Sequence, residues 1–503
     1  MNIKRNIFWS ILDFLALPIG MLISVPIFLE GLGTEVYGFY LFVTSIVGIN
    51  AFFNLGFGDT AIKYLSHHLE IKNIGMASRI QQTLSFCSLI AGFFAFILIF
   101  FNLDNIKFAF ELDKIEKVDH ILLVSTLIIP LKLLETIYIA TMRSLGKYNL
   151  AGKITITTKV LNLSVMIICV LSGLGLFEMM LSTLFTCLGG IILLFIFSSI
   201  TFKKTLYPFF FNDAFREIYT FSGMSWLQGL SGLFYANADK FILSYFFGMT
   251  TLAFYGVCLQ VAQNLHSIYA AASHTLFPLI SRVNAKSGIG LETRKIFKLS
   301  DSAITFIVCI PMIFICIYSY QILEVWVGKE IASNSSSTFA ILIFIYGIFS
   351  INSISTFYIF NGIGKVKIQT LISLISASVM FVSSLILIPN FGVIGAALCR
   401  LPDALIRIFI KIFTVRRILK IKNIKYIFDF IFLLGLNSLI ILLLNYFFEF
   451  IFSQNYIFEI SLLFLNFFIY LLFSFSLGYK YFRVTSNWIS IMRLIKKNED
   501  FTL

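Results

Sequence analysis

Four residues at helical spacing carry the strongest chemical signal in this chain: Arg400, Asp403, Arg407 and Lys411. At about 100° per residue, an α-helix puts all four on one face. They sit in an apolar stretch, 395–415, long enough to cross a bilayer. An ionisable side chain near mid-membrane costs at least about 2.5–3.5 kcal/mol, so it normally faces a cavity or a partner. One aspartate offsets only part of three cations. The stripe fits either an internal salt-bridge ladder, with Lys411 snorkelling toward the headgroups, or a positive surface lining a hydrated cavity.

Weaker polar stripes recur elsewhere. Lys132 and Glu135 are one turn apart beside Pro130, a structural ion pair or a functional one. Thr155, Lys159 and Asn162 share a face. Gln228, Ser231, Tyr235 and Asp239 form a third stripe; Gln260, Gln263, Asn264, Ser267 and His274 a fourth; Ser10, Asp13, Gly20 and Ser24 a fifth. Any one of these is explained by interhelical hydrogen bonding, worth about 0.6 kcal/mol per bond. Together they point to a hydrated cavity between helices. Pro18, Pro26, Pro130, Pro311 and Pro402 lie in the same apolar stretches and are expected to kink them.

The elements that position these residues follow from composition. The chain has 503 residues, 59% hydrophobic and 13% charged, with 59 Phe. Soluble domains run near 45–50% apolar and about 25% charged. This balance excludes a soluble enzyme, a secreted disulfide scaffold and a disordered chain, and leaves an all-α polytopic membrane protein. Taking about 20 apolar residues per crossing gives about fourteen spans. Their expected limits are 7–29, 38–57, 83–103, 120–142, 154–172, 178–200, 219–246, 252–276, 299–319, 337–359, 368–388, 395–415, 426–446 and 460–479. The first follows a basic start but is too long for a signal-peptide core and lacks a small-residue cleavage site, so it is expected to be retained.

The net charge of +13 would suggest nucleic acid in a soluble protein; here no nucleic acid is expected, because the positions of the charges matter more than their sum. With the N-terminus in the cytoplasm, most Lys and Arg fall in cytoplasmic loops, whereas the opposite loops hold only Lys107, Lys114, Lys117 and Lys329. This bias orients the chain with both termini cytoplasmic. The seven Cys lie in spans without any CxxC pair and are expected to be packing residues. The His67-His68 pair is expected to be solvated, and no metal site is expected.

The sequence also repeats. Tyr37-Gly38 is separated from Tyr255-Gly256 by the same number of residues as Gly146-Lys147 from Gly364-Lys365. At a slightly shorter spacing Ser10 meets Ser225, Asp13 meets Gln228, Ser24 meets Asp239 and Gly33 meets Gly248. These matches predict two pseudo-symmetric six-helix lobes, 1–215 and 216–420, with two further helices and a cytoplasmic tail in 421–503. Even-numbered lobes give a parallel repeat about an axis along the membrane normal.

No G-x-x-x-x-G-K-[ST] motif is present; Gly362-Ile363-Gly364-Lys365 is followed by Val366. The longest loop opposite the cytoplasm, 104–119, is short and acidic. Neither ATP-driven transport nor enzymatic catalysis is expected.

Several segments in order resemble the Wzx-type polysaccharide flippases of the multidrug/oligosaccharidyl-lipid/polysaccharide (MOP) exporter superfamily. Leu32-Gly33 with Tyr37-Gly38, then Asn54-Leu55-Gly56-Phe57-Gly58, is similar to the family's opening. Ala238-Asp239-Lys240-Phe241-Ile242-Leu243 through Tyr255-Gly256 is similar to the start of its second lobe. Ile322-Leu323-Glu324-Val325-Trp326-Val327-Gly328 resembles the turn after helix nine. Asn361-Gly362-Ile363-Gly364-Lys365 and Gly392-Val393-Ile394-Gly395-Ala396-Ala397 resemble the region of helices ten to twelve.

The resemblance spans essentially the whole chain. It implies alternating-access movement of undecaprenyl-diphosphate-linked oligosaccharide repeat units from the cytoplasmic to the periplasmic leaflet of the bacterial inner membrane. It also implies work beside a polysaccharide polymerase and a chain-length regulator. On that reading Arg400 and Arg407 hold the diphosphate, assisted by Lys132 and Lys159, because the Arg fork matches phosphate oxygens. Gln228, Gln260, Gln263 and Asn264 bond sugar hydroxyls, and membrane lipid carries the polyprenyl tail. Asp13, Asp239, Glu135 and Asp403 are the candidate sites for H+ or Na+ coupling; no other cofactor is expected. The competing readings are a cation-coupled multidrug exporter, which a cationic stripe disfavours, and a membrane-embedded polysaccharide polymerase, which lacks the large loop such chemistry needs.

Overall fold

The computed structural model describes residues 3–273 and 276–421, with isolated positions 435, 468 and 470; within these, side chains are described except at 3–17 and a few single positions, Gln228 among them. The spans expected at 426–446 and 460–479, the side chains of Asp13 and Gln228, and His274 lie outside the described residues.

Apolar stretches of this length have one low-energy form in a bilayer, because a helix satisfies its own backbone. The described residues accordingly form helices: α1 (Ile3–Leu32), α2 (Thr34–Gly48), α3 (Asn50–Phe53), α4 (Phe57–Glu70), α5 (Ile74–Phe100), α6 (Leu103–Ala109), α7 (Val118–Ser144), α8 (Tyr148–Leu171), α9 (Leu176–Phe202), α10 (Asn212–Ala272), α11 (Leu276–Ser287), α12 (Leu291–Ile317), α13 (Ser319–Val327), α14 (Lys329–Gly362), α15 (Val366–Leu398) and α16 (Leu401–Phe413). Nine of the described helices are long and apolar enough to cross a membrane. Large apolar side chains cover their outer faces: Ile90, Phe93, Phe94 and Ile97 on α5, and Phe185, Ile192, Ile196 and Ile200 on α9, are exposed. In water such surface would be a liability; in a bilayer it is the expected finish.

The chain divides into two compact units, one of residues 1–257 with 373–399, the other of 258–372 with 400 onward. In the first unit α1 packs on α8, and α7 lies against α4, α5 and α9. In the second, α14 is the hub, touching α11, α12, α13 and α16.

Backbone conformation echoes the sequence repeat. Gly33 (φ 80°, ψ 164°) separates α1 from α2, and Gly248 (φ 77°, ψ −178°) breaks α10 at the matching position. Gly146 (φ 71°) and Gly364 (φ 77°) turn the chain at the second matched pair. Such positive φ values are reached without strain only by glycine. Tyr37 and Tyr255, also matched, are both fully buried. Gly38 makes a close approach possible: a Cβ there would lie 1.8 Å from the Met249 carbonyl oxygen.

Two local expectations need correction. The stretch 395–415 is not one helix: α15 is broken at Gly392 (φ 56°), Cys399 and Arg400 form a turn, and α16 begins at Leu401. Pro402 explains the restart, since its missing N–H and fixed φ suit a helix's first turn and not its interior. The 219–246 and 252–276 spans are separated, as expected, by the non-helical Gly248 within α10. His68 is not solvated: it is buried, with Nε2 2.7 Å from Glu217 Oε1. In the 104–119 loop Lys107 sits between Asp104 (2.8 Å) and Asp119 (2.6 Å). Their hydrogen bonds hold its ammonium well above the usual lysine range.

Two close approaches give a stability test. A Cβ on Gly92 would lie 2.5 Å from Pro130 Cα, whereas Gly189 has nothing within 4 Å. Gly38→Ala and Gly92→Ala are expected to lower the melting temperature in detergent, by overpacking worth about 1–3 kcal/mol. Gly189→Ala should leave it unchanged or raise it, since Ala is the better helix former. Equal melting temperatures for all three variants would contradict this packing.

Candidate functional site

The charged stripe is built around α14. The run Ser350-Ile351-Asn352-Ser353-Ile354-Ser355-Thr356 places polar groups in the middle of this otherwise apolar helix. α16 supplies cations on one side, and α12 supplies Asp301 on another.

Lys411 Nζ lies 2.9 Å from Asp301 Oδ2 and donates to the Ile351 carbonyl at 3.2 Å. Ser355 Oγ donates to Asp301 Oδ1 at 2.6 Å. Arg407 Nε donates to Asp403 Oδ1 at 3.3 Å, and its guanidinium stands 5.1 Å from the Phe349 ring centroid. Arg400, at the N-cap of α16, donates from Nη1 to Tyr346 Oη at 2.9 Å, with its guanidinium 5.6 Å from that ring's centroid. His266 joins from α10: its Nδ1 is 2.8 Å from Ser350 Oγ, and its ring packs on Phe349 at 5.0 Å. A cavity of ≈ 10 Å³ lined by His266, Tyr346 and Ser350 has room for about one water.

All five charged groups are buried: Arg400 1%, Asp403 0%, Arg407 8%, Lys411 2% and Asp301 1% exposed. Burying a charge is tolerated only with a partner and full hydrogen bonding. Among the described residues of this cluster, three cations face two carboxylates. Asp403 Oδ2 accepts no hydrogen bond among the described residues. Among the described residues the cluster is therefore an ionic core of three cations and two carboxylates, and Arg400 is the largest fully buried side chain in it.

The other predicted residues divide between the units. Gln260, Gln263 and Asn264 are half-buried on the part of α10 that belongs to the second unit, with Arg400, Asp403 and Arg407. Lys132, Glu135, Lys159 and Asp239 belong to the first. Lys132 Nζ pairs with Glu135 Oε2 at 2.7 Å, and Cys187 Sγ is 3.9 Å from the same oxygen. Lys159 is half-buried one turn before Asn162, whose Oδ1 accepts from Thr186 Oγ1 at 3.0 Å. Asp239 is wholly buried. Its Oδ2 accepts a short hydrogen bond from Tyr255 Oη, its Oδ1 accepts from the Lys240 N–H, and Tyr255 Oη also reaches the Ala396 carbonyl. The structure thus brings Arg400, Asp403 and Arg407 together, and sets Lys132 with Glu135 separately.

Sequence reasoning missed the partners. Asp301, Tyr346, Ser350, Ser355 and His266 were given no role. The usable signal was the polar run 350–356 in an apolar helix.

The profile of a family described as "Polysaccharide biosynthesis protein" matches residues 32–336, more than half of the chain. A Shigella flexneri protein provisionally named an O-antigen transporter is 24% identical over 411 residues, covering 79% of this chain and 94% of its own. An uncharacterised membrane protein of Methanocaldococcus jannaschii is 24% identical over 460 residues, covering 87% and 88%. Among solved structures, the lipid II flippase MurJ in an inward-closed conformation aligns with a TM-score of 0.70 at 17% identity, over 94% of this chain and 99% of that one. An inward-facing multidrug-resistance MATE transporter of the MOP superfamily aligns at 0.62 and 14% identity, over 82% and 100%. The fold is shared with these two solved structures.

The ion pairing predicts an asymmetry between single and double substitutions. Lys411→Met strands Asp301 in the interior and should cost about 3–5 kcal/mol of stability. Lys411→Met combined with Asp301→Asn should recover most of that loss. Thermal melting of purified protein reads both; a double variant as unstable as the single one would contradict the pairing.

Proposed function

This chain belongs to the polysaccharide biosynthesis protein family, and we propose that it is a flippase for lipid-linked oligosaccharide, carrying undecaprenyl-diphosphate-linked repeat units from the cytoplasmic to the periplasmic leaflet of the bacterial inner membrane. The observation that carries the reading is the cluster of buried cations, Arg400, Arg407 and Lys411, held inside a membrane-spanning unit. A lipid diphosphate is an anion that must cross a low-dielectric layer, and fixed guanidinium groups offset its lost hydration. A cavity evolved for cationic drugs would carry the opposite sign. The names of the Shigella flexneri relative and of MurJ point the same way.

In this reading Arg400 and Arg407 meet the diphosphate when the transporter opens, with Lys132 and Lys159 assisting. Gln228, Gln260, Gln263 and Asn264 bond the sugars. The tail stays in lipid. Outward movement of an anion runs with an inside-negative membrane potential, worth about 2.3 kcal/mol per charge per 100 mV. Coupling to H+ or Na+ at Asp13, Asp239, Glu135 or Asp403 adds to that drive. Both termini face the cytoplasm, and a polymerase and chain-length regulator act on the delivered units.

The depth at which Arg400 and Arg407 are buried favours a second reading, a ladder that binds α12, α14 and α16 into one body. The two readings differ in what substitution does. Arg400→Gln and Arg407→Gln should each reduce surface polysaccharide about tenfold or more, the worth of a charge-assisted phosphate contact. The loss should exceed what any fall in protein level or melting temperature accounts for, since Arg407→Gln also strands Asp403. Normal polysaccharide in both variants would overturn the transport role, and loss that tracks a fallen melting temperature would assign them to the ladder.

A further inference from the structure

A second cationic site lies away from the buried stripe. The first turns of α12 and the segment after α16 enclose a cavity of ≈ 520 Å³ lined by Arg294, Lys295, Lys298, Lys420, Leu291, Leu299 and Ile421. Among the described residues, seven line it, four of them cations and none a carboxylate. Arg294 and Lys298 are one helical turn apart and share a face. Lys420 comes from a different segment, held in the left-handed region (φ 52°) by the turn in which the Ile421 N–H donates to the Val415 carbonyl at 3.0 Å. Arg294 Nε is buried and donates to nothing among the described residues. Among those residues, none of the four cations has an ion-pair partner; the one acid in the first turn of α12, Glu292, is not part of the lining.

Four like charges around one cavity repel each other unless an anion sits among them. The volume suits a small ligand or a headgroup, since such sites run about 300–1,000 Å³. The lining is also two-faced: the cations stand beside Leu291, Leu299 and Ile421. Free phosphate would leave that apolar wall unused. Basic pockets between membrane helices on the cytoplasmic side take anionic lipid headgroups. The position matches, because α12 passes there from its charged start, Glu292 to Lys298, into the apolar run from Ala303.

We propose that Arg294, Lys295, Lys298 and Lys420 form a binding site for the phosphate of an amphiphile, whose apolar chain lies on Leu291, Leu299 and Ile421. Two sources share this chemistry: an anionic membrane phospholipid, and the diphosphate of a polyprenyl-linked sugar before it enters the transporter. The site is separate from the residues assigned to transport, and its occupancy is measured without any flipping assay.

The test uses the purified full-length protein in neutral detergent, titrated with dioctanoyl phosphatidylglycerol, dioctanoyl phosphatidylcholine, farnesyl diphosphate and inorganic phosphate. The two anionic amphiphiles should bind, more weakly as salt is raised, while phosphatidylcholine should not. Lys298→Glu and Lys420→Glu, from two different segments, should each weaken binding about tenfold. Lys298→Arg should keep it, and melting temperatures should stay level. Tighter binding of farnesyl diphosphate than of phosphatidylglycerol assigns the site to the sugar carrier, and the reverse assigns it to membrane lipid. Unchanged affinity in both Glu variants, phosphatidylcholine binding equal to phosphatidylglycerol, or inorganic phosphate binding as tightly as the amphiphiles would overturn the proposal.

Discussion

The low dielectric of the bilayer makes every buried charge answer for itself, and the contact between Lys411 and Asp301 is where this chain answers most directly. The two groups lie 2.9 Å apart, both almost wholly buried, and are donated by different helices. Neither could sit there alone. Their pairing fixes α16 against α12, and Ser355 on α14 completes the Asp301 carboxylate. The rest of the cluster follows from that anchor. Once α16 is set, Arg407 meets Asp403 one turn away, and Arg400 at the helix start reaches Tyr346. The polar residues of α14 then serve as the internal solvent that lipid cannot supply.

The same constraint shapes the first unit on a smaller scale. Lys132 and Glu135 neutralise each other, and Asp239 gathers Tyr255 and a backbone N–H. Asp239 and Tyr255 lie on either side of Gly248, where α10 breaks, and Tyr255 also reaches the Ala396 carbonyl. A buried carboxylate thus ties the two sides of the break to the end of α15.

Much of this was legible in the sequence, because the bilayer imposes simple rules. Span positions followed from apolar length, and glycines matched in the sequence share positive φ values. The α16 stripe followed from spacing alone. What could not be read was pairing across helices. Asp301 is far from Lys411 in the chain, and nothing local to either residue names the other. Without that partner, the stripe looked more positive than it is. Arg400 was placed inside a helix because apolar length ignores Pro402, whose ring restarts the helix one residue later. His68 looked solvated because its partner, Glu217, belongs to the start of another helix. Local physics was visible in each case; tertiary choice of partner was not.

On the proposed function, this ionic core serves an anionic lipid-linked sugar and not a cationic compound. The most direct measurement reconstitutes the purified protein in liposomes and follows a fluorescent short-chain polyprenyl-diphosphate oligosaccharide between leaflets, beside a cationic dye such as ethidium. Protein-dependent translocation of the lipid-linked sugar, accelerated by a potential negative on the donor side, with no dye transport, is the expected result. Dye transport without movement of the lipid-linked sugar would contradict it.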